Sequence, residues 1–386
     1  MIDVVIPVYA GFAETRRCVE SVLAAGVAAP HEVVVVDDAT PEPGIASWLD
    51  ELAAARRITL LRNESNRGFV HSANRGMALH DGRDVVLLNS DTEVPPGWLD
   101  RLAAAAASDA RIASVTPFSN NATLCSYPHW GWTGGLPGAL GLAGLDALFA
   151  CELAGRTLDL PTAVGFCMYI PRAALAALGA FDEERYGRGY GEENDFCMRA
   201  WKSGWRNVLA ADVFVFHEGA VSFSAEREQR VEQATVALLA QHPEYTERVQ
   251  AFMASDPARP LRAAIDLARA RMGAPEAEHV VREREAEMVR MREDLNWARG
   301  QQERLDAAVR ELVAQVKSFQ EGAAISAAAH AECEREIVRL REGLAYAESL
   351  AFARERELTR IRATLAYRIA ARLGRIRPAA EAEGRD

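Results

Sequence analysis

The chain has 386 residues, 49% hydrophobic and 26% charged, enough for more than one folded unit. Its formal net charge of −11 argues against nucleic acid as a partner drawn in by bulk electrostatics. Six scattered cysteines with no CxxC, a start ("MIDVVIPVYA") unlike a signal peptide and no 18-residue apolar run predict reduced thiols in a soluble, cytoplasmic chain.

In chain order, "VVIPV" (4–8), "EVVVVDD" (32–38), "ITLL" (58–61), "VVLL" (85–88) and "IASV" (112–115) are short, β-rich and not alternating. Such runs belong to strands covered on both faces, hence to a parallel sheet. Amphipathic stretches lie between them. One carries Cys18, Val19, Val22 and Leu23 and stops at Gly26; another carries Ile45, Trp48, Leu49 and Leu52. A third is expected to start at Pro95–Pro96 and to run through Trp98, Leu99 and Leu102. Repeated βα units predict a doubly wound α/β domain.

Acids collect where these strands should end. "DD" (37–38) follows the second run and "NSDTE" (89–93) the fourth. Ligands of open α/β sheets bind at that edge, and carboxylates there can hold Mg²⁺ or Mn²⁺ against phosphates. Each acid also has a plain structural use: Asp38 could start a turn, and Asp91 or Thr92 could cap the next helix. A third cluster, Glu192, Glu193 and Asp195, follows the glycines of "RYGRGYGEENDF" and opens a helical pattern. The helix dipole explains one acid there, not three. "VFVFH" then predicts a strand ending at His217, either a metal ligand or an ordinary exposed residue. No GxGxxG follows the first strand, and no P-loop or GxSxG elbow occurs.

From Pro275 to Pro378 no proline intervenes, and Glu, Arg and Ala dominate. Met288, Met291, Leu295, Ala298, Leu305, Val309, Leu312, Val316 and Phe319 fall at steps of three and four once Gln302 is counted in the slot between Ala298 and Leu305, and Ile337 to Leu365 continue the register. This predicts a coiled coil of open oligomeric state, the alternative being a solvated single helix. The basic stretch 354–377 reads equally as a membrane-surface helix or a solvated end of the coil.

Seven segments in order resemble the family 2 glycosyltransferases of the GT-A fold: "VVIPVY" (4–9), "VVVVDDAT" (33–40), "NRGFVHSANRGM" (66–77), "LLNSDTEVPPGWLDRL" (87–102), "VGFCMYIPR" (164–172), "GYGEENDFCMRAWKSGW" (189–205) and "FHEGAVSF" (216–223). The resemblance implies a GT-A catalytic domain over 1–225, with a helical extension at 226–274, the coil at 275–377 and a disordered tail at 378–386 outside it. It implies donor contacts from Pro7, Val8, Tyr9, Asp38, Asn66, Gly68, Asn74, Asn89 and Ser90, with Asp38 receiving the base of a uridine or thymidine diphosphate sugar. Asp91 and His217 would hold Mn²⁺ or Mg²⁺, with Asn89 standing where the family's DxD motif begins with Asp. Glu193, or its competitor Glu192, would be the catalytic base, and Phe166 and Cys167 would face the acceptor. The implied activity is inverting sugar transfer to a hydroxyl of a glycan or lipid-linked acceptor, in bacterial surface polysaccharide synthesis. A sugar nucleotidyltransferase and a non-catalytic head on a coil, with a second copy or a partner protein along it, are the other readings.

Overall fold

A computed structural model describes residues 1–219, 225–321 and 327–362. The "AVSF" end of "FHEGAVSF", the centre of the weak seam at 321–333, most of the basic segment 354–377 and the tail 378–386 lie outside the described residues. The chain divides into two compact units, Met1–Glu276 and Ala277–Asp386.

The first unit begins with β1 (Ile2–Val8), α1 (Phe12–Ala24), β2 (His31–Asp37), α2 (Pro43–Ala54), β3 (Thr59–Arg62), α3 (Phe69–Met77) and β4 (Asp84–Leu88). It continues with β5 (Thr92–Glu93), α4 (Trp98–Ala107), β6 (Ile112–Ser119), α5 (Gly141–Glu152), β7 (Thr157–Leu160) and β8 (Cys167–Ile170). Then come α6 (Arg172–Leu178), α7 (Glu183–Tyr186), α8 (Glu192–Lys202), β9 (Arg206–His217), α9 (Ala225–Gln241), α10 (Tyr245–Ser255) and α11 (Arg259–Arg271). The strand order is β3-β2-β1-β4-β8-β6-β9-β5, with β7 on β9. The β3-β2-β1-β4 half is parallel, as its unbroken apolar runs require. Beyond it, β8 enters antiparallel between β4 and β6, and β6 and β9 run parallel.

Both faces of the sheet are covered. Val4, Ile6 and Val8 point to one core, with Cys18, Val22, Leu49, Trp98, Phe149 and Ile265. Val5, Val34 and Val36 point to the other, with Val70, Met77, Phe196 and Leu238. Residues of α9 and α11 therefore complete the two cores, and the stretch 226–276 is part of this unit. The prolines at 95 and 96 precede α4 without opening it; Gly97, at φ 68°, is its N-cap. A left-handed φ there suits glycine.

α12 (Ala274–Glu321) and α13 (Ala327–Arg362) follow. In the second unit Met288, Met291, Leu295 and Leu358 share one apolar cluster. Arg354 pairs with Asp294 at 3.1 Å and Gln302 with Glu348 at 3.3 Å. Contact partners thus run in opposite directions, so the two helices pair antiparallel within one chain. Among the described residues no helix is long and apolar enough to cross a membrane.

Candidate active site

The chain leaves β4 through a tight turn. The Asn89 carbonyl accepts the Thr92 N–H at 3.3 Å and the Thr92 hydroxyl at 2.7 Å, and the Asn89 N–H donates to the Phe166 carbonyl at 2.8 Å. Thr92 therefore closes this turn and caps no helix. The turn projects Asp91 toward the end of β9, where Thr92 pairs with His217 across the short β5 ladder.

His217 Nε2 lies 3.4 Å from Asp91 Oδ1. Its Nδ1 sits 2.6 Å from the Asn121 carbonyl, which can only accept, so Nδ1 carries a hydrogen and Nε2 is left facing the carboxylate. The separation from Asp91 exceeds that of an ordinary hydrogen bond. Burial alone would raise the Asp91 carboxyl, but the neighbouring His217 ring and backbone N–H groups outweigh it and hold the group below its ordinary value. One carboxylate oxygen and one ring nitrogen converging in this way suit a divalent cation that takes its remaining ligands from phosphate and water. The donor set fits the group that the resemblance implies.

Across the strand edge, the ring of Phe166 stacks on His217 at 5.1 Å between centroids and 17° between planes. At the adjoining residue, a Cβ built on Gly165 would stand 3.8 Å from the Glu193 side chain. Gly165 and Phe166 thus link the two acidic groups: Glu193 lies near Gly165, and His217, which faces Asp91, lies on Phe166.

Glu192 and Glu193 open α8 behind Gly191, whose φ is 91°. Glu192 is buried, Glu193 half-buried, and each has one buried carboxyl oxygen (Oε2) without a hydrogen-bond partner. Burial raises the Glu193 carboxyl, partly offset by the N–H groups of the helix start. Glu192 is pushed further up, by burial and then by the Glu193 charge. Asp195 has a structural job: its oxygens take Arg199 at 2.8 Å and His242 at 2.9 Å.

The other expected residues divide. Tyr9 is 45% exposed at the end of β1, with half-buried Pro7 beside it, and Ser90 and Asn66 are also half-buried. Val8 and Cys167 are core side chains, 1% and 0% exposed, so neither reaches a ligand by its side chain. Phe166 is 2% exposed and buttresses His217 from behind. Asn74 spends its amide on Phe181, donating to its carbonyl at 2.9 Å and accepting from its N–H at 3.1 Å. Asp38 accepts from Asn63 Nδ2 at 2.7 Å and from the N–H groups of Arg67 and Gly68 at 2.8 and 2.7 Å. Its carboxylate anchors the 63–68 loop, the turn-forming use open to it from sequence. Gly68 lies so close to Arg188 that a Cβ would meet the Arg188 Cα at 2.7 Å. Glu93 is held away from Asp91 by Arg17, at 3.0 Å.

Among the described residues, Asp3, Glu32 and His80 also lie close enough together to hold a metal. They sit at the opposite end of β1 and β2, and Arg83 Nη1 already bridges Asp3 at 2.9 Å and Glu32 at 2.5 Å. That cluster is an ion-pair network. Sequence reasoning missed Asn120 and Asn121, which hold His217. The signal was present: "NN" follows the apolar run of β6 just as "NSDTE" follows that of β4.

Residues 3–139 match the sequence model of the family described as glycosyl transferase family 2. This segment, about a third of the chain, is similar to a family 2 glycosyltransferase domain. The match covers β1 to β6, Asp38 and the Asp91 turn; α8 and His217 lie beyond it, in the same compact unit. An uncharacterized protein of Sinorhizobium fredii is 26% identical over 236 residues, 58% of this chain and 25% of that protein. A putative polypeptide N-acetylgalactosaminyltransferase 13 of Drosophila melanogaster is 34% identical over 95 residues, 22% of this chain and 17% of the relative. The chain thus spans a quarter or less of the length of these two relatives. Among solved structures, a mannosyltransferase from Pyrobaculum calidifontis in complex with GDP-Man and Mn²⁺ aligns with a TM-score of 0.46 at 19% identity, over 73% of this chain and 79% of the other. The mixed sheet with its parallel β3-β2-β1-β4 half is the GT-A fold that the resemblance implied.

Proposed function

We propose that this chain is a metal-dependent, inverting glycosyltransferase that moves a sugar from a uridine or thymidine diphosphate donor to a hydroxyl of a glycan or lipid-linked acceptor. One observation carries the reading: Asp91 faces His217, whose ring stacks on Phe166, while Glu193 lies near the adjoining Gly165. The two groups have different chemistry to do. A bound Mn²⁺ or Mg²⁺ would neutralise charge growing on the leaving diphosphate. Asp91 and His217 would hold that ion, and the imidazole favours Mn²⁺. Tyr9, Asn66 and Ser90, open at the same edge, would border the nucleotide. Glu193 would take the proton of the attacking hydroxyl, its raised basicity matched to that work. With base and leaving group on opposite sides of the reacting carbon, attack inverts it and no enzyme nucleophile is needed.

The product class that the resemblance implies is a bacterial surface glycan, made at the cytoplasmic face. The test is transfer by the full chain with Mn²⁺ across a panel of nucleotide sugars, beginning with thermal-shift screening. Mn²⁺-dependent release of nucleoside diphosphate supports the reading. Pyrophosphate release from sugar phosphate and nucleoside triphosphate would replace it with nucleotidyl transfer, and inertness toward every donor with a binding head.

A further inference from the structure

β6 and β9 stop pairing at Ser119 and Val215, two residues short of His217. The side chain of Asn120, 1% exposed, continues the ladder where the backbone leaves it. Its Oδ1 accepts the His217 N–H at 2.8 Å and the Ser119 hydroxyl at 3.3 Å. Its Nδ2 donates to the His217 carbonyl at 2.9 Å and to the Gly134 carbonyl at 2.8 Å. A backbone N–H at one end and two carbonyls at the other fix the amide's orientation, and all four of its hydrogen-bonding positions are used. The next carbonyl, that of Asn121, takes His217 Nδ1 at 2.6 Å. Two consecutive residues therefore hold His217 by its N–H, its carbonyl and its ring.

We propose that Asn120 is a positioning residue that sets the ring of His217, and so the affinity of the Asp91–His217 site for a divalent cation. The proposal rests on the metal-site reading above. Asn120 itself touches no reacting atom. It fixes the strand end so that the Asn121 carbonyl meets Nδ1 and Nε2 is turned to Asp91. Partners of this kind around a metal-binding His contribute about 10–100-fold in metal affinity. The bond to Gly134 ties the same amide to the 130–135 loop, where the Trp132 ring folds over Gly134.

The test uses the full chain with Asn120→Asp, which turns a carboxylate oxygen toward two carbonyls while keeping size. Two measurements are made: Mn²⁺ titration followed by the electron paramagnetic resonance of free Mn²⁺, and the ¹⁵N tautomer pattern of His217 in metal-free protein. The expected result is Mn²⁺ binding weakened by about 10–100-fold, with hydrogen moving from Nδ1 to Nε2. Unchanged Mn²⁺ affinity together with an unchanged tautomer overturns the proposal. If wild type binds no Mn²⁺, the metal reading falls by itself, and the tautomer comparison alone decides for or against Asn120. If Asn120→Asp does not fold, Asn120→Ser, which can still serve the His217 N–H but not reach Gly134, is read by the same two measurements.

Discussion

His217 Nε2 stands 3.4 Å from Asp91 Oδ1, with the opposite ring nitrogen committed to the Asn121 carbonyl. On the proposed reading the pair is pre-aimed, so an entering cation would have little to rearrange. Asp91→Asn should keep the fold, weaken Mn²⁺ by at least tenfold and lower transfer by about 10²-fold or more, the scale of losing a preorganised charge-stabilising group. Mn²⁺ titration and steady-state transfer check this. Near-normal values in both would remove Asp91 from the metal site.

Glu193 and Glu192 are adjacent buried carboxyls, both raised by burial, so a charge on one disfavours a charge on the other. Glu193→Gln should cost about 10²–10⁴-fold in kcat, as expected for loss of a general base. Glu192→Gln replaces a carboxylic acid by a neutral group of the same shape and should cost less than about tenfold, within one Brønsted-scale step. Reversed effects would make Glu192 the base.

The same pair predicts a pH effect on stability. Both carboxyls are raised in the fold above the ordinary Glu value of about 4.3. The native protein thus keeps protons that the unfolded chain has released, and stability from these groups, full below about pH 4.3, is lost as pH rises through the folded values. Urea midpoints should fall with pH above that value more steeply in wild type than in Glu192→Gln. Parallel profiles would show that the pair is not buried in its charged form.

Asp38 holds the 63–68 loop by three hydrogen bonds. Asp38→Ala should lower stability by about 3 kcal/mol, since it leaves buried donors without an acceptor. A donor-contact role alone would raise KM and leave the unfolding midpoint unmoved. Calorimetry beside donor kinetics separates the two.

Gly68 combines φ 90° and ψ 174° with the Arg188 backbone pressed against it. Gly68→Ala should cost about 1–3 kcal/mol in backbone strain before any steric shift. An unchanged denaturation midpoint would mean that the 66–69 and 187–191 loops do not pack as described.

The central strands and the acid-bearing turns were legible because burial on both faces leaves unbroken Val, Ile and Leu runs that stop at polar residues. The run at 167–170, "CMYI", was not read as a strand, although it is β8: Cys and Met carry little β signature, and its place between β4 and β6 depends on long-range pairing. The two residues of β5 are too short to show a period. Sequence placed Asp91 and Glu193 at strand and helix ends, but their link through His217, Phe166 and Gly165 is a property of the folded sheet. It could not assign Asp38 either, since choosing between a turn and a ligand required seeing which N–H groups surround the carboxylate. Glu93 was in the right turn, and only the fold reveals that Arg17 has claimed it.

Arg269 is 0% exposed, and its guanidinium reaches Glu276 at 2.9 Å and the Tyr127 hydroxyl at 3.0 Å, while Glu276 also accepts the Ala139 N–H at 2.7 Å. Glu276 belongs to the opening turn of α12. Anyone exchanging this protein's tail for a foreign one must splice after that residue. A junction only a few positions earlier would take the carboxylate away from this buried guanidinium, and breaking a buried pair costs about 3–5 kcal/mol, enough to lose the graft to misfolding before its new appendage could be tried.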